Sequence, residues 1–212
     1  MKTLPGKTVE RLSQYRRALI TSLAANHNYI FSHELAAILH ITAVQVRRDL
    51  MLIGYGSVMR KGYDVRELIR TIGTIIDAPT GLNVAIIGMG NLGRAITGYF
   101  MGKRTNMNIV AAFDVDPQKV GKVVAGVRCY HIDQMKKLKG ELDISIAVLT
   151  VPPDQAVSLT SMLVSNSIRG IMNFTTVPLN VPDNIHLEEF DMITSIEKVA
   201  YFVKENGQQA GQ

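Results

Sequence analysis

Three glycines and one aspartate have the spacing of a dinucleotide-binding motif. Gly88, Gly90 and Gly93 directly follow the apolar run Leu82 to Ile87, and a helical pattern follows them. In such a strand-to-helix turn, backbone N–H groups can bind a pyrophosphate. Asp114 ends the next apolar run, 21 residues beyond Gly93 (114 − 93), where a carboxylate can accept both ribose hydroxyls of an adenosine and repel a 2′-phosphate. These residues predict an NAD(H) site and disfavour NADP(H).

A turn-forming role is the alternative for Asp114, because Asp-Val-Asp-Pro turns commonly follow strands. The joint placement of the glycines and the acid favours binding. Other positions in the glycine turn, or just after later strands, are expected to approach the same ligand, since strands of a parallel sheet end at a common edge. They are Met89, Asn91, Leu92, Val115, Thr150, Val151, Pro152, Asn173 and Phe174.

Strand-like and helix-like segments alternate after residue 80, which predicts a doubly wound parallel sheet of the Rossmann type. The expected strands after Leu82 to Ile87 are Ile109 to Phe113, Asp143 to Leu149 and Gly170 to Phe174. Residues 80–193 are about what one such fold consumes, and no His/Asp, Tyr/Lys or Cys/His arrangement stands beside the expected nicotinamide loops. The pattern therefore predicts a binding module and not an enzyme.

The basic charge of the chain lies ahead of this module. The whole chain carries 23 Lys+Arg and 18 Asp+Glu; counting along the sequence places 11 and 6 of them in residues 1–79, which leaves 12 and 12 in residues 80–212. Ala78 to Gly81 marks the boundary, since proline and glycine end the preceding helical pattern. A basic module joined to a neutral nucleotide module suggests a protein that binds a polyanion with one part and a small molecule with the other.

The basic segment has a helix-turn-helix pattern. Thr8 to Leu23 predicts a first helix, with Val9, Leu12, Leu19 and Leu23 on its apolar face and Tyr15 at the edge of that face. Thr42 and Gln45 form a capping box that opens a helix from Ala43 to Ile53. Asp64 to Glu67 is expected to cap a further helix that runs to Ile76. In this helix Gln45, Arg48 and Asp49 are expected opposite the apolar stripe, with Arg47 on the flank.

Such a helix can lie in the major groove of DNA, where arginine suits guanine and glutamine suits adenine. The segment from Gly54 to Tyr63 is glycine-bounded and basic, which is typical of the wing of a winged helix. The alternative is an ordinary surface helix, since these commonly carry arginine and glutamine. The predicted DNA-binding residues are Thr42, Gln45, Arg47, Arg48, Arg60, Lys61 and Tyr63.

The last segment predicts a helix that needs a second surface. Thr194 to Glu197 is another capping box, and apolar residues cover most of the helix that it opens. We expect burial between two subunits of a homodimer, with burial in its own fold as the alternative. The expected domains are therefore 1–79 (winged helix, DNA-binding), 80–193 (Rossmann, NAD(H)-binding) and 194–212 (dimerisation helix and tail).

Other classes of protein are disfavoured by composition. The single cysteine cannot form an internal disulfide, and the five histidines lack ligand spacing with each other or with Cys129, so we expect no metal. The first residues lack the apolar core of a signal peptide, and no apolar run of about 18 residues occurs. We expect a cytoplasmic protein that is not inserted in a membrane.

Five stretches together resemble the Rex family of redox-sensing transcriptional repressors: Thr42 to Leu50, Val84 to Gly93, Phe113 to Pro117, Leu149 to Pro152 and Asn173-Phe174. The resemblance spans about residues 5–205. It implies a homodimer with an exchanged C-terminal helix, NAD and NADH as ligands, and release from double-stranded operator DNA by NADH. It also implies that Arg17, Tyr99 and Asp191 couple the state of the nucleotide to domain orientation.

The chain departs from the family pattern at two places. Met59 to Gly62 shifts the arginine of the wing by one position and lacks a glycine, and Thr175-Thr176 replaces Ala-Pro after Asn173-Phe174. Two other functions stay open at this point: a small NAD-dependent oxidoreductase with a basic N-terminal extension, and a nucleotide-regulated module that binds a protein partner in place of DNA.

Overall fold

The structure is a computed structural model, and it describes residues 3–56, 61–100 and 107–209. The chain divides into two compact units, Met1–Pro79 and Thr80–Gln212. The boundary expected from the sequence lies at the same place. Each unit has its own hydrophobic core.

The first unit is a small helical domain with a short β-ribbon. Its elements are α1 (Gly6–Ala24), β1 (Tyr29–Ile30), α2 (Ser32–Leu39), α3 (Ala43–Leu52), β2 (Tyr63–Asp64) and α4 (Val65–Ile76), with β1 and β2 antiparallel. The expected apolar face of α1 is correct at Leu12 and Leu19 and wrong at Val9 and Tyr15. Val9 is 37% exposed, whereas Tyr15 is fully buried with Leu12 and Leu19. A polar partner inside the domain, described below, explains the burial of Tyr15.

Two predicted helix starts are confirmed by their capping bonds. The Thr42 hydroxyl accepts a hydrogen bond of 3.1 Å from the Gln45 N–H at the start of α3. The Asp64 carboxylate accepts one of 2.9 Å from the Glu67 N–H at the start of α4. Between α2 and α3, His40 takes a left-handed conformation with φ 53°, which produces the tight turn of a helix-turn-helix.

The second unit is built on a seven-stranded sheet within the described residues. Its elements are β3 (Leu82–Ile87), α5 (Asn91–Phe100), β4 (Met107–Asp114), β5 (Val123–Val124), β6 (Val127–His131), α6 (Met135–Glu141), β7 (Ile144–Leu149), α7 (Pro153–Ser165), β8 (Gly170–Asn173), β9 (His186–Glu189) and α8 (Met192–Gln209). The strand order is β5-β6-β4-β3-β7-β8-β9, and every pair except β5 with β6 is parallel. The predicted α/β class and parallel sheet are confirmed, while β5, β6, β9 and α6 were not predicted.

The C-terminal helix starts two residues before the predicted capping box. Asp191 is the capping residue, because its carboxylate accepts the N–H groups of Ile193 and Thr194 at 2.8 and 3.3 Å and the Thr194 hydroxyl at 2.6 Å. The predicted domain start at residue 194 therefore falls inside α8. Thr194 supports the cap as a donor and is not the capping residue itself.

Two kinds of feature are absent from the described part of the chain. There, no helix is both long and apolar enough to cross a bilayer. The same residues contain no cluster of three or more His, Cys, Asp or Glu side chains that could hold a metal ion.

Candidate functional site

A cavity of about 490 Å³ opens at the carboxyl ends of β3, β4 and β7. This is where ligands bind in open parallel sheets. Ten predicted cofactor residues line it: Gly88, Gly90, Asn91, Leu92, Asp114, Val115, Thr150, Val151, Pro152 and Phe174. Sequence reasoning missed other lining residues, among them Asp116, Lys119, Ile132, Gln155 and Leu159.

The first and third glycines are required by the packing of the protein. Gly88 has φ +96°, and a Cβ there would lie 2.7 Å from the Thr150 carbonyl oxygen. A Cβ at Gly93 would collide with the Gly88 carbonyl and lie 2.9 Å from the Thr150 hydroxyl. That hydroxyl donates to the Gly88 carbonyl at 2.8 Å. These two glycines therefore allow the β3–α5 turn to pack against the loop after β7.

Gly90 has a different role, because the protein leaves space around it. A Cβ at Gly90 would meet no protein atom within 4 Å, and the residue lines the cavity. Nothing in the packing of the chain calls for glycine there, whereas a ligand that approaches the backbone closely does. The turn leads into α5 at Asn91, whose first N–H groups lack partners within the helix and favour an anion. The residues therefore fit the pyrophosphate of a dinucleotide.

Asp114 stands at the end of β4 with its carboxylate 8% exposed. Its Oδ2 accepts the Met89 N–H at 2.7 Å and the Lys119 ammonium at 3.1 Å, and its Oδ1 accepts the Asp116 N–H at 2.9 Å. Burial alone would raise the pKa of Asp114, but these hydrogen bonds outweigh it and hold the pKa below its usual value. The carboxylate is therefore ionised at neutral pH, as a ribose acceptor must be.

Lys119 is the most informative residue that the sequence prediction missed. Its ammonium lies 3.1 Å from Asp114 and 3.5 Å from Asp116, and the hydrogen bond to Asp114 is the main reason why its pKa is raised. The spacing of five residues after Asp114, across an Asp-Pro turn, was the available signal.

Met89, Gly93 and Asn173 were predicted to approach the cofactor, but they do not line the cavity. Met89 is buried, and only its N–H serves the site through Asp114. The side chain of Asn173 is buried as well, donating to the Val177 carbonyl at 2.9 Å and accepting from the N–H and hydroxyl of Thr175. These three residues pack behind the wall of the cavity, and each contacts or stabilises a turn that carries lining residues.

The first unit presents one exposed stripe on α3. Val44, Arg47, Arg48 and Met51 are all exposed and recur at helical spacing, so they share one face. The Arg47 guanidinium donates to the Ser32 hydroxyl of α2 at 3.1 Å. Two arginines flanked by two apolar side chains can contact phosphates, guanine edges and thymine methyl groups.

Asp49 was expected on the outer face of α3, and this is wrong. Its side chain is 0% exposed and accepts four hydrogen bonds: two from Arg11 at 2.6 and 2.8 Å, one from Tyr15 at 2.7 Å and one from Gln45 at 2.9 Å. Burial would raise the pKa of Asp49, but the bonds from Arg11, Tyr15 and Gln45 lower it. Gln45 is thus tied to Asp49 at the edge of the helix, and Asp49 fastens α3 to α1.

The predicted wing is described only in part, since Arg60 lies outside the described residues. Lys61 is exposed, and its ammonium lies 6.0 Å from the centre of the Tyr29 ring. Tyr63 was predicted to contact DNA, but it is only 6% exposed and packs beside Tyr55. Gly62 has φ +83°, and a Cβ there would meet the Ile30 carbonyl at 2.6 Å, so this glycine is needed where β2 pairs with β1.

The three residues of the expected switch occupy three different elements. Arg17 is exposed on α1 of the first unit. In the second unit, Tyr99 is exposed on α5 beside Phe100, and Asp191 caps α8. The capping role of Asp191 was not predicted, and it gives this residue a function in the fold of its own helix.

The C-terminal helix exposes an apolar surface. Six of its side chains are each more than half exposed: Ile193, Ile196, Val199, Tyr201, Phe202 and Val203. Contiguous apolar surface of this kind marks an interaction site in most proteins. The alternative of burial within its own fold is therefore wrong for these residues.

Comparisons with known proteins agree with this geometry. Residues 3–50 match the family model "Putative DNA-binding protein N-terminus" and residues 80–177 match "CoA binding domain". The redox-sensing transcriptional repressor Rex of Anoxybacillus flavithermus is 36% identical over 206 residues, which cover 97% of each chain. The protein of the same name from Lactiplantibacillus plantarum is 35% identical, over 98% of this chain and 92% of its own length.

Solved structures give the same result. The chain is similar to RSP, a Rex-family repressor, with a TM-score of 0.86 and 29% identity over 98% of this chain and 97% of that one. RSP in complex with beta-NAD+ and operator DNA gives a TM-score of 0.90, over 100% of this chain and 97% of that one. RSP in complex with beta-NADH gives 0.87, over 100% and 99%. With relatives above 30% identity along nearly the whole chain, the resemblance noted in the sequence is confirmed, and this protein belongs to the Rex family of redox-sensing transcriptional repressors.

Proposed function

We propose that this protein is a transcriptional repressor that binds operator DNA and senses the ratio of NADH to NAD+, with NADH causing release from DNA. The observation that carries the proposal is the presence, on one chain, of a dinucleotide cavity and an exposed arginine stripe on the second helix of a helix-turn-helix. Membership in a family of repressors argues against the alternative of a small oxidoreductase. We place its action in the cytoplasm.

The DNA-binding function rests on α3 and on charge. Arg47 and Arg48 extend from an exposed helix face whose position is fixed beneath by Asp49. Val44 and Met51 add apolar contacts on the same face, and Lys61 of the predicted wing adds a further exposed cation. Phosphate contacts make affinity fall with salt by close to one power of concentration for each contact. Removing Arg47 or Arg48 should therefore lower both affinity and salt dependence.

The sensing function rests on the cavity. Gly90 and the start of α5 would hold the pyrophosphate, and Asp114 would accept the ribose hydroxyls of the adenosine. Residues of the loops after β7 and β8, among which Thr150, Pro152 and Phe174 line the cavity, would hold the nicotinamide. The nicotinamide supplies the redox state that is sensed. These residues bind and orient the nicotinamide.

The homodimer rests on α8. A second copy can cover its exposed apolar residues, and two copies related by a two-fold axis place two α3 helices on two half-sites of a palindromic operator. Replacing Ile196 and Val203 with glutamate should halve the mass measured by light scattering, since both residues share one face of α8. Lys198→Glu on the same helix is the control for added negative charge and should leave the mass unchanged.

Coupling between nucleotide and DNA is reciprocal. If NADH lowers affinity for DNA by some factor, DNA lowers affinity for NADH by the same factor, and the coupling of about 1 to 3 kcal/mol that is typical of allosteric proteins corresponds to roughly 5- to 150-fold. Arg17, Tyr99 and Asp191 are the proposed coupling residues. Asp191→Asn is the most informative variant, because the amide oxygen can still accept the N–H groups of Ile193 and Thr194, while the negative charge and the acceptor for the Thr194 hydroxyl are lost.

The test is a thermodynamic square with a labelled operator duplex. Duplex affinity is measured by fluorescence anisotropy without nucleotide, with NAD+ and with NADH, and NADH affinity is measured with and without the duplex. We expect NADH to weaken DNA binding far more than NAD+, and Asp191→Asn to reduce this difference. Thr194→Val is the matched control, since it loosens the same cap and keeps the charge. If NADH changes DNA affinity in the wild type by a factor near one, and DNA changes NADH affinity by a factor near one, the protein is not an NADH-operated switch.

A further inference from the structure

We propose that Lys119 is a specificity-determining residue of the nucleotide cavity: its ammonium leaves Asp114 when an unphosphorylated adenosine ribose binds, and the same movable ammonium pairs with a 2′-phosphate, which gives the site an affinity for 2′-phosphorylated dinucleotides that the aspartate alone would exclude. The inference rests on the proposed NAD(H) site. It modifies the expectation, drawn from Asp114 by itself, that NADP(H) is strongly disfavoured.

The hydrogen bonds of Asp114 show why Lys119 must move. A carboxylate offers about four acceptor positions, two on each oxygen. On Asp114 the Met89 N–H and the Lys119 ammonium occupy both positions of Oδ2, and the Asp116 N–H occupies one position of Oδ1. One position is left. A ribose that donates both its 2′- and 3′-hydroxyls needs two, so one existing donor has to be displaced.

Lys119 is the donor that can be displaced. The other two are backbone N–H groups fixed by the turns after β3 and β4. The lysine ammonium, in contrast, is at the end of a flexible stem, its side chain is 38% exposed, and its 3.1 Å bond is the longest of the three. Asp116, 3.5 Å away, keeps the displaced ammonium beside the cavity that both residues line.

The charges of this corner explain the effect on specificity. Asp114 and Asp116 without a cation would present two negative charges to a 2′-phosphate, which is itself about doubly negative. Lys119 reduces the fixed charge to one negative, and a lysine ammonium binds phosphate as a mobile point charge. A 2′-phosphorylated ribose donates only its 3′-hydroxyl, which the free position of Oδ1 accepts, and the ammonium of Lys119 can turn from Asp114 to the 2′-phosphate that stands where the 2′-hydroxyl would be.

The experiment compares NADH and NADPH binding to the full-length protein by isothermal titration calorimetry. Lys119→Met keeps the stem and removes the charge. We expect it to weaken NADPH binding about tenfold or more, equivalent to about 1.4 kcal/mol, and to change NADH binding less than threefold. Lys122→Met is the matched control, because Lys122 is an exposed lysine nearby that does not line the cavity. It should change neither affinity.

A second pair of variants keeps the test decisive if Lys119→Met folds poorly. Lys119→Arg preserves the cation and should retain NADPH binding. Asp114→Asn should shift preference toward NADPH while Lys119 is present, and the double variant Asp114→Asn with Lys119→Met should lose that shift. Additivity of the two substitutions on the ratio of affinities would overturn the inference.

The outcomes separate this inference from the proposed function. If the wild type binds NADH but no NADPH at millimolar concentration, Lys119 does not act on specificity and the NADH sensor stands. If Lys119→Met weakens both nucleotides equally, the lysine only supports the fold of the loop, and the inference is overturned. If the wild type binds neither nucleotide, the proposed sensing function fails first.

Discussion

Each unit contains a carboxylate that is almost fully buried, Asp49 in the first unit and Asp114 in the second. The two differ in the hydrogen bonds that they accept and in whether a cavity reaches them. Asp49 accepts four hydrogen bonds, all from side chains, and is fully enclosed. Asp114 accepts three, two of them from the backbone, and stands at the wall of a cavity. Both have a lowered pKa, so ionisation alone does not distinguish them.

The two carboxylates differ in how many further hydrogen bonds they can accept. All four acceptor positions of Asp49 are taken, so it has nothing to offer a ligand and serves to hold α3 against α1. Asp114 retains one free position and one exchangeable donor, so it can accept a ligand without leaving a charge unpaired. A carboxylate in a binding site is therefore recognised by the hydrogen bonds it has yet to make, beyond its burial or charge.

The largest expected effect comes from replacing Asp49, the fully enclosed carboxylate. Asp49→Asn leaves Arg11 facing an uncharged partner and turns one acceptor into a donor, so we expect the first unit to lose about 3 kcal/mol of stability. Hydrogen exchange at the amides of α1 and α3 measures this loss locally. DNA affinity should fall while NADH affinity is kept, because the second unit folds on its own core.

Glu10→Gln is the control, since Glu10 is an exposed acid on α1 that pairs with Lys7 across one turn. It should change exchange rates very little. Equal protection in Asp49→Asn and in the wild type would mean that the Asp49 cluster does not hold α3.

A smaller effect is expected from the glycines that the packing requires. Gly93→Ala places a methyl group against the Gly88 carbonyl and the Thr150 hydroxyl, so the β3–α5 turn has to shift. We expect a loss of about 2 kcal/mol in the second unit, together with loss of NADH binding. Circular dichroism during urea unfolding and NADH titration measure the two effects. Retained stability and binding would show that the turn adapts.

Gly90→Ala sharpens the contrast, because it adds the same methyl group where the protein has space. Stability should change by less than about 0.5 kcal/mol, while NADH affinity should fall about tenfold as the pyrophosphate meets the methyl group. A parallel loss of stability would contradict the assignment of Gly90 to ligand contact.

The smallest expected effect is a pH dependence of the stability that Asp49 contributes. Because folding lowers the pKa of Asp49 below the ordinary 3.8, the ionised group contributes stability that is present above that pH and is lost as the pH falls through the folded pKa. The stability difference between wild type and Asp49→Asn should therefore shrink as the pH falls from 5 toward 3 and below. A constant difference would indicate that the carboxylate has the same pKa in the folded and unfolded chain.

Local signals were sufficient for much of the fold. The capping residues Thr42 and Asp64 and the bounds of β3 depend on neighbours within a few positions, and they were predicted correctly. The glycine turn was predicted because three spaced glycines have few other uses. The strands β5 and β9 were missed because they are only two and four residues long and owe their existence to strand pairing.

Long-range contacts account for the errors at the candidate sites. Asp49 has the helical position of a surface residue, and only Arg11, 38 residues away, makes its burial favourable. The same cluster draws Tyr15 inward and leaves Val9 outside. Lys119 was missed because its importance comes from the orientation of a side chain across a turn, which composition does not encode.

The outer strands of the sheet limit how copies of the protein can associate. β5 has two residues, and β9, His186–Glu189, carries a histidine and two glutamates among its four. Short and charged edge strands pair poorly with strands of another molecule, which protects a sheet from edge-to-edge aggregation. Growth by strand addition is thereby blocked at both sides of the sheet. The exposed apolar helix α8 is left as the route to self-association, and helix packing between two identical faces closes after two copies without propagating into a fibre.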